Sequence, residues 1–249
     1  MNLRLLVKQL AFPGFDVGTR KRMRFVRHFT KGDIETLDAG CGNGAFSFAA
    51  VRCGNRVVGI DSDAEKLARC IEFRDHCGIP SDQCSFSVTA ISAIPTLKKQ
   101  YDQIICFETL EHIMDDTAAL RALADALKPG GLLHISTPQK ERAPYYGEVI
   151  STIEDGNHVR LGYTLADFER LFAPLGLRIL HHETVVGYFG QRIINILNRA
   201  DHAFLNRVSP LLRDIAHGSI LFSLYPLTFL DPLIGGNDLI LFVSARKDA

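Results

Sequence analysis

The chain has 249 residues, 47% of them apolar and 22% charged, and its formal net charge is zero. A chain of this length forms one large domain or two small ones, and the balanced charge argues against a nucleic-acid partner. The six cysteines form no CxxC pair, which argues against a metal site or a disulfide framework and favours reduced thiols in a cytoplasmic protein. No apolar run reaches the ~18 residues of a membrane-spanning helix.

Residues 1–34 are predicted to form an N-terminal helical segment. Thr19 is the expected cap of a helix that runs from Arg20 to about Phe29. Basic and aromatic side chains alternate along it. Two interpretations stay open: a basic face for an anionic substrate or membrane, or a solvated face that packs its aromatic rings on the domain.

A glycine-rich turn follows the first predicted strand, Thr36–Ala39. Gly40, Gly42 and Gly44 allow backbone angles that other residues resist and let a ligand approach the main chain closely. The helix that begins after them points free N–H groups at the turn, which suits a polar or anionic group. Asp38 lies at the carboxyl edge of the strand, where open α/β sheets bind ligands.

A carboxylate ends the second predicted strand, Val57–Ile60, at Asp61. An acid about 20 residues beyond a glycine turn is where a nucleoside's ribose hydroxyls are bound. Together the turn and the acid predict a cofactor that contains a nucleoside.

The rest of the chain continues this alternation of strands and helices. Helices are predicted over 64–77, from Thr117 and after Thr164, and strands over 86–88, 103–107, 132–136, 177–182 and 239–243. The pattern predicts an α/β fold: a Rossmann-like, doubly wound, mostly parallel seven-stranded sheet with helices on both faces. The main domain is expected at 35–187 and 238–249.

A helical insert, residues 188–237, precedes the last strand. Apolar residues recur there at helical spacing, and the segment 220–230 is strongly apolar. We predict a lid over the pocket of a hydrophobic or lipid-linked acceptor. A homodimer interface, plain core packing and membrane contact without a spanning helix are the alternatives.

In this order the motifs resemble those of the class I S-adenosylmethionine-dependent methyltransferases, in their small-molecule, ubiquinone-methyltransferase-like branch. The likeness covers about residues 35–185 and the last strand. The segments that carry it are Leu37–Gly44, Val58–Asp61, Tyr101–His112, Leu127–Gly131 and His158–Thr164.

The resemblance implies S-adenosylmethionine as cofactor and a small-molecule acceptor methylated at oxygen, nitrogen or carbon. Asp38 and the backbone of the Gly40–Gly44 turn, with Cys41, would hold the methionine part. Asp61 would bind the ribose and Ser62 would lie beside the adenine. The further cofactor-binding residues it implies are the Ala90 backbone, which replaces the usual acid after the third strand, and Phe107 and Glu108 near the sulfonium.

Three polar residues are candidates for catalysis: Glu111 and His112, which follow the fourth strand, and His158 in a polar loop. An imidazole titrates near neutrality and suits a general base, although each side chain equally suits a loop-stabilising role. Tyr145 and Tyr146 are candidates for the wall of the acceptor pocket.

Two other functions compete with methyl transfer. The turn also fits the permissive G-x-G-x-x-A pattern of a nucleotide-dependent oxidoreductase, and a non-catalytic protein that binds an adenosyl ligand would keep the same motifs. Asp38 and the Leu127–Gly131 turn are not needed by dehydrogenase chemistry, so methyl transfer is the leading hypothesis.

Overall fold

A computed structural model describes residues 3–14, 16–144, 146–234 and 238–248. Seven strands form a single sheet in the order β3-β2-β1-β4-β5-β7-β6. Their bounds are β1 Glu35–Ala39, β2 Arg56–Asp61, β3 Cys84–Val88, β4 Tyr101–Phe107, β5 Leu127–Pro138, β6 Leu177–Val185 and β7 Ile240–Lys247.

All neighbouring strands pair in parallel except β7, which runs antiparallel to both β5 and β6. The predicted fold class is therefore confirmed. The strand order reverses between β1 and β4, and such a reversal opens a crevice at the carboxyl ends of the strands. The glycine turn after β1 and the segment after β4 meet at this crevice.

Nine α-helices lie within the described residues, and shorter 3-10 turns connect several of them. Their bounds are α1 Leu3–Leu10, α2 Val17–Arg22, α3 Ala45–Arg52, α4 Ala64–His76, α5 Asp116–Ala126, α6 Leu165–Phe172, α7 Tyr188–Ala203, α8 Pro210–Leu224 and α9 Asp231–Ile234.

Two apolar cores cover the two faces of the sheet. One packs α5 and α6 on the sheet and contains Leu120 and Phe168, and the other packs α3 and the N-terminal segment and contains Phe48 and Phe25. Central strands buried on both faces are largely apolar, which explains the apolar run at residues 104–107 of β4.

The predicted N-terminal helix is wrong in its cap and its extent. Asp16, and not Thr19, caps α2, because its side chain accepts a hydrogen bond from the Thr19 N–H. Aspartate and threonine are both good caps, and here the aspartate places its carboxylate opposite the third residue of the helix. The chain beyond α2 continues as a 3-10 helix, Met23–His28.

The insert between β6 and β7 is helical and turns much of its apolar surface outward. Phe222 is 87% exposed, Leu233 82% and Phe229 74%. A smaller cluster, which includes Ile193 and Leu221, packs α7 and α8 together. Across the described residues, every helix is too short or too polar to span a bilayer.

A buried polar network joins the sheet to the loop that enters it. The fully buried Asn55 donates from Nδ2 to the carbonyls of Thr30 and Gly32, each at 2.9 Å. Its Oδ1 accepts from Thr36 at 3.0 Å and from Gln103 at 3.3 Å. Buried polar groups of this kind stabilise a fold only while every partner is satisfied.

We predict that Asn55→Ala lowers the free energy of unfolding by about 2 to 4 kcal/mol, because it leaves the buried Thr36 hydroxyl and Gln103 amide without their shared acceptor. Urea unfolding followed by circular dichroism measures the change. Gln9→Ala, at an exposed amide in α1, is the control and should change the free energy little. Equal effects of the two variants would contradict the proposed contribution of this network to the free energy of unfolding.

Candidate functional site

The glycine turn after β1 has a shape that only glycine accepts at two positions. Gly40 has φ +76°, and a Cβ there would lie 2.3 Å from Thr109 Oγ1. Gly44 also has φ +76°, with Phe48 carbons at 2.9 Å and the Cys70 Sγ at 3.0 Å from such a Cβ. Gly42 differs: at φ +53° a Cβ would meet nothing within 4 Å. The turn therefore packs against protein on two sides and leaves open space beside Gly42.

Asp61 lies next to that open space at the tip of β2. Its Oδ2 accepts the Gly42 N–H and its Oδ1 accepts the Asp63 N–H, both at 2.9 Å. A carboxylate offers about four acceptor positions, so two remain for a ligand. The half-buried carboxylate suits a pair of neighbouring hydroxyls, as the sequence predicts for a ribose.

Asp38 lies behind the turn and not on its surface. It is 2% exposed, and its Oδ2 accepts a hydrogen bond from the Ser47 hydroxyl at 2.5 Å. Burial raises the pKa of Asp38 to about 7, and the negative charge of Asp61 adds to the rise, whereas the Ser47 hydrogen bonds oppose it. A cation bound at the turn would favour the ionised carboxylate.

Glu108 follows β4 and adopts a left-handed backbone, with φ +49°. Its carboxylate accepts a hydrogen bond from Ser136 Oγ at 3.1 Å and pairs with Arg22 of α2 at 2.9 Å. Residues other than glycine rarely adopt this backbone conformation, and residues strained in this way cluster at functional sites. The N-terminal segment thus reaches the crevice through Arg22, a contact that no sequence motif signalled.

Phe107 is 6% exposed and packs among aromatic rings of the core. Its ring centroid lies 4.6 Å from that of Phe46, 5.9 Å from Phe25 and 6.0 Å from Phe242. The structure therefore places this predicted cofactor residue mainly in the core, with Glu108 nearer the crevice.

The remaining predicted cofactor residues lie around the same turn. Cys41 is 7% exposed, and its N–H donates to the Ile60 carbonyl at 2.9 Å. Burial raises the pKa of its thiol, so it is not a reactive thiolate. Ser62 and Ala90 are exposed, and the Thr89 N–H donates to the Asp61 carbonyl at 3.0 Å, which holds the end of β3 beside Asp61.

Two loops meet at the other side of Glu108: residues 108–116 after β4 and residues 157–163. The Val159 N–H donates to the Glu111 carbonyl at 2.9 Å. Arg160 donates to the carbonyls of Ile113 and Met114 at 2.6 and 2.8 Å and also pairs with Asp116. These contacts fix the three predicted catalytic residues relative to one another.

The structure brings Glu111, His112 and His158 together. One ligand-type atom from each lies within 4.8 Å of the others, and the two imidazole centroids are 4.8 Å apart. Glu111 is fully buried, and burial and the negative charge of Glu108 raise the pKa of its carboxyl well above 4.5. The pKa of His158 is lowered, first by burial and then by His112.

A cavity of about 400 Å³ opens onto the two histidines. Its size is within the range of small-molecule sites. The insert supplies one wall, but with polar side chains, whereas a hydrophobic acceptor was expected from the sequence. The titratable side chains that line it are His112, His158, Tyr146, Glu148, Asp201 and His202. Tyr145, its predicted companion in this wall, lies outside the described residues.

Sequence reasoning missed Glu148 and Arg142. The Glu148 side chain is 7% exposed and that of Arg142 1%, and the two form a bidentate ion pair beside His158. Neither belongs to a recognisable motif, and the loop that carries them has no periodic pattern, so only the structure reveals the pair.

Comparison with known proteins identifies the chain's relatives. A family model described as a methyltransferase domain matches residues 30–169. A curated ubiquinone biosynthesis O-methyltransferase from Hydrogenovibrio crunogenus is 29% identical over 147 residues, which cover 55% of this chain and 59% of that protein. The chain spans about half the length of the curated relatives it matches.

Solved structures with low sequence identity share the fold. The cyclase SpnF superposes with a TM-score of 0.64 at 20% identity, covering 93% of this chain and 82% of that one. Coclaurine N-methyltransferase, bound to N-methylheliamine and SAH, gives a TM-score of 0.60 at 18% identity, covering 91% and 72%. Because one of these is a cyclase, the fold alone does not decide the reaction.

The raised pKa of Asp38 predicts a pH-dependent stability. A folded-state pKa of about 7, against an ordinary value of 3.8, means that the folded protein holds a proton that the unfolded chain has released. The contribution of Asp38 to stability is therefore complete below pH ~4 and is lost as pH rises towards 7. Asp38→Asn, which cannot ionise, should gain stability relative to wild type across this range.

Urea unfolding of the ligand-free protein at pH 5 and pH 8 tests this prediction. The difference in free energy of unfolding between Asp38→Asn and wild type should grow in favour of the variant by about 1 to 3 kcal/mol from pH 5 to pH 8. Asp125→Asn, at an exposed carboxylate, is the control. A difference between Asp38→Asn and wild type that does not change with pH would contradict the assignment.

Proposed function

This chain belongs to the methyltransferase-domain family, and we propose that it transfers a methyl group from S-adenosylmethionine to a hydroxyl oxygen of a small-molecule acceptor. The name of the curated relative, a ubiquinone biosynthesis O-methyltransferase, favours oxygen over nitrogen and carbon. The polar cavity favours an acceptor whose reacting end carries hydroxyl groups.

The residues around the glycine turn fit the cofactor. The open space beside Gly42 admits a ligand close to the main chain, and Asp61 keeps acceptor positions for the two ribose hydroxyls. Glu108 at the crevice and the buried Asp38 behind the turn add negative charge that would stabilise the cofactor's cationic end. When bound, S-adenosylmethionine supplies a methyl group on a sulfonium, a carbon already activated for displacement.

One observation carries the proposal: the cavity opens four residues beyond Glu108, at the end of the same strand. His112 lines the cavity, and Glu108 lies at the crevice that holds the predicted cofactor site. Methyl transfer needs the acceptor oxygen aligned with the methyl carbon in a place that excludes water, and adjacent sites at one strand end provide that alignment.

Within the cavity, His112 and His158 are positioned to take the proton of an acceptor hydroxyl. Each ring has its Nδ1 engaged, with the Asn157 carbonyl at 3.0 Å and the Glu148 carboxylate at 2.9 Å. This arrangement favours the tautomer with a proton on Nδ1 and a lone pair on Nε2. We assign Tyr146, Asp201 and His202 to the recognition of the rest of the acceptor.

The oxidoreductase and the non-catalytic binder have less support. The curated relative and the family model both carry methyltransferase descriptions. A polar cavity beside two oriented imidazoles is also more than a protein needs in order only to bind an adenosyl ligand.

The outer face of the insert is a separate surface. Because its apolar side chains point away from the cavity, we propose that they contact a membrane surface or a second copy of the chain, while its polar residues form the cavity wall.

Methyl transfer is tested with S-adenosylmethionine that carries a labelled methyl group and a panel of small hydroxyl-bearing acceptors. Label should appear in an ether product with wild type. Gly42→Ala should lose at least tenfold in rate, because its methyl group fills the open space beside the turn. Gly78→Ala is the matched control, since Gly78 also has positive φ with nothing within 4 Å but lies away from the site.

Failure of wild type to label any acceptor, while it still binds S-adenosylhomocysteine, would favour the non-catalytic alternative. Equal losses in Gly42→Ala and Gly78→Ala would show that backbone strain, and not a blocked cofactor, causes the effect.

A further inference from the structure

The wall of the cavity is made almost entirely of hydrogen-bonding side chains. Three of them are amides, three are imidazoles, two are carboxylates and one is a phenol. Among the described residues, Val149 is the one aliphatic side chain that lines the cavity. Amides and neutral imidazoles offer both a donor and an acceptor, and a hydroxyl group of a ligand uses both. The wall therefore matches a ligand that carries several hydroxyl groups.

The charge of the wall disfavours an anionic ligand. Within the described part of the chain, no lysine or arginine lines the cavity. The Glu148 carboxylate is already paired with Arg142, whose side chain is 1% exposed, so this guanidinium is not available to a ligand. A phosphate or carboxylate that entered the cavity would lose hydration without gaining a partner that is always positively charged.

One face of α7 supplies the insert's side of the cavity. Asn198, Asp201 and His202 lie three and four residues apart, so their side chains share this face. The Oδ1 of Asp201 lies 2.8 Å from Nε2 of His217 in α8, and no described residue donates a hydrogen bond to its Oδ2. A carboxylate that is held at one oxygen keeps the other as an acceptor for a ligand hydroxyl.

Tyr146 supplies the flat apolar surface of the cavity. The residue is 46% exposed, and its ring centroid lies 5.8 Å from that of His202 and 4.9 Å from the Arg199 guanidinium. Its N–H donates to Asn195 Oδ1 at 2.9 Å. At the next residue, Gly147, a Cβ would lie 2.7 Å from His202 Nε2, so the loop lies directly against the helix. The aromatic ring and the polar face of α7 are thus held side by side.

We propose that the acceptor is a neutral carbohydrate unit, whose hydroxyl groups are bound by Asp201 and the amides and whose C–H face packs on the Tyr146 ring. The face of an aromatic ring is electron-rich and attracts the weakly positive C–H groups of a pyranose. The hydroxyl groups at the edge of such a sugar then meet the polar wall.

This assignment of the acceptor rests on the proposed function. One sugar hydroxyl would face the cavity imidazoles. Its oxygen bonds to the methyl carbon as the S–CH₃ bond breaks, its proton passes to Nε2 of His112 or His158, and the sulfonium becomes a neutral thioether.

A phenol is the competing neutral acceptor. It is flat and apolar on both faces, and sites for such ligands are lined predominantly by apolar and aromatic side chains. Tyr146 and Val149 are the side chains of that kind among the described lining residues, and Val149 is 67% exposed. The cavity therefore fits the hydroxyl-rich ring of a sugar better than the ring of a phenol.

Saturation-transfer difference NMR on the full chain loaded with S-adenosylhomocysteine tests this acceptor class without relying on activity. The probes are methyl glycosides of hexoses, 6-deoxyhexoses and pentoses, with phenols, sugar phosphates and primary amines as the competing classes. Neutral glycosides should receive saturation, and the other classes should receive at least fivefold less. With labelled S-adenosylmethionine, the glycoside that binds best should yield a methyl ether.

Variants test the two side chains that define the site. Asp201→Asn and Tyr146→Ala should each weaken glycoside binding and raise KM at least tenfold, with kcat changed less than threefold. Tyr146→Phe keeps the ring and should bind as wild type does. Tyr188→Ala is the matched control, because Tyr188 is also an exposed tyrosine, with the Arg192 guanidinium 3.4 Å from its ring centroid, but does not line the cavity. Circular dichroism checks that each variant is folded.

Absence of saturation transfer from folded wild type to every neutral glycoside would overturn the proposal. Preferential binding of phenols, sugar phosphates or amines would overturn it too, as would unchanged glycoside binding by both Asp201→Asn and Tyr146→Ala. If glycosides bind through these two residues but no acceptor of any class is methylated, the ligand class stands and the proposed methyl transfer fails, so the two failures are separate results.

Discussion

The hydrogen bond from the Gly42 N–H to the Asp61 carboxylate is the contact on which the site depends. It joins the turn after β1 to the tip of β2. These two strands pair in parallel, so their carboxyl ends lie side by side at one edge of the sheet. Since the carboxylate also accepts the Asp63 N–H, it is held at the first turn of α4. The result is a fixed acceptor beside open space, at the strand end where ligands of α/β sheets bind.

Around this point the chain places the crevice and the cavity next to each other at the end of β4. The segment after β4 begins with the strained Glu108, which faces the crevice. Further along, His112 lines the cavity and the buried Glu111 lies behind it. Arg160 ties this segment to the loop that carries His158, and Arg22 ties it to α2. Side chains that are distant in sequence thus acquire fixed relative positions, which alignment of two reactants requires.

Much of the fold was predictable because its signals are local. Residues 104–107 of β4 are all apolar since this half of the strand is buried on both faces. The glycine turn and Asp61 lie at a spacing set by one strand, one helix and the next strand. Locality also limited the predictions. Thr19 was an acceptable cap, but Asp16 took the position. Phe107 stays a predicted cofactor residue, and its ring also packs among core phenylalanines. The Glu148–Arg142 pair and the meeting of Glu111 with His158 depend on loop packing that no periodicity encodes.

The most direct measurement of the central claim is the affinity for S-adenosylhomocysteine, determined by titration calorimetry for wild type and for Asp61→Asn. Replacing a carboxylate that accepts hydroxyl groups with a neutral amide should cost about 1.5 to 3 kcal/mol, a weakening of roughly tenfold or more. Wild type should show no binding of NAD under the same conditions. Equal affinity of the two proteins for S-adenosylhomocysteine, or binding of NAD alone, would contradict the account.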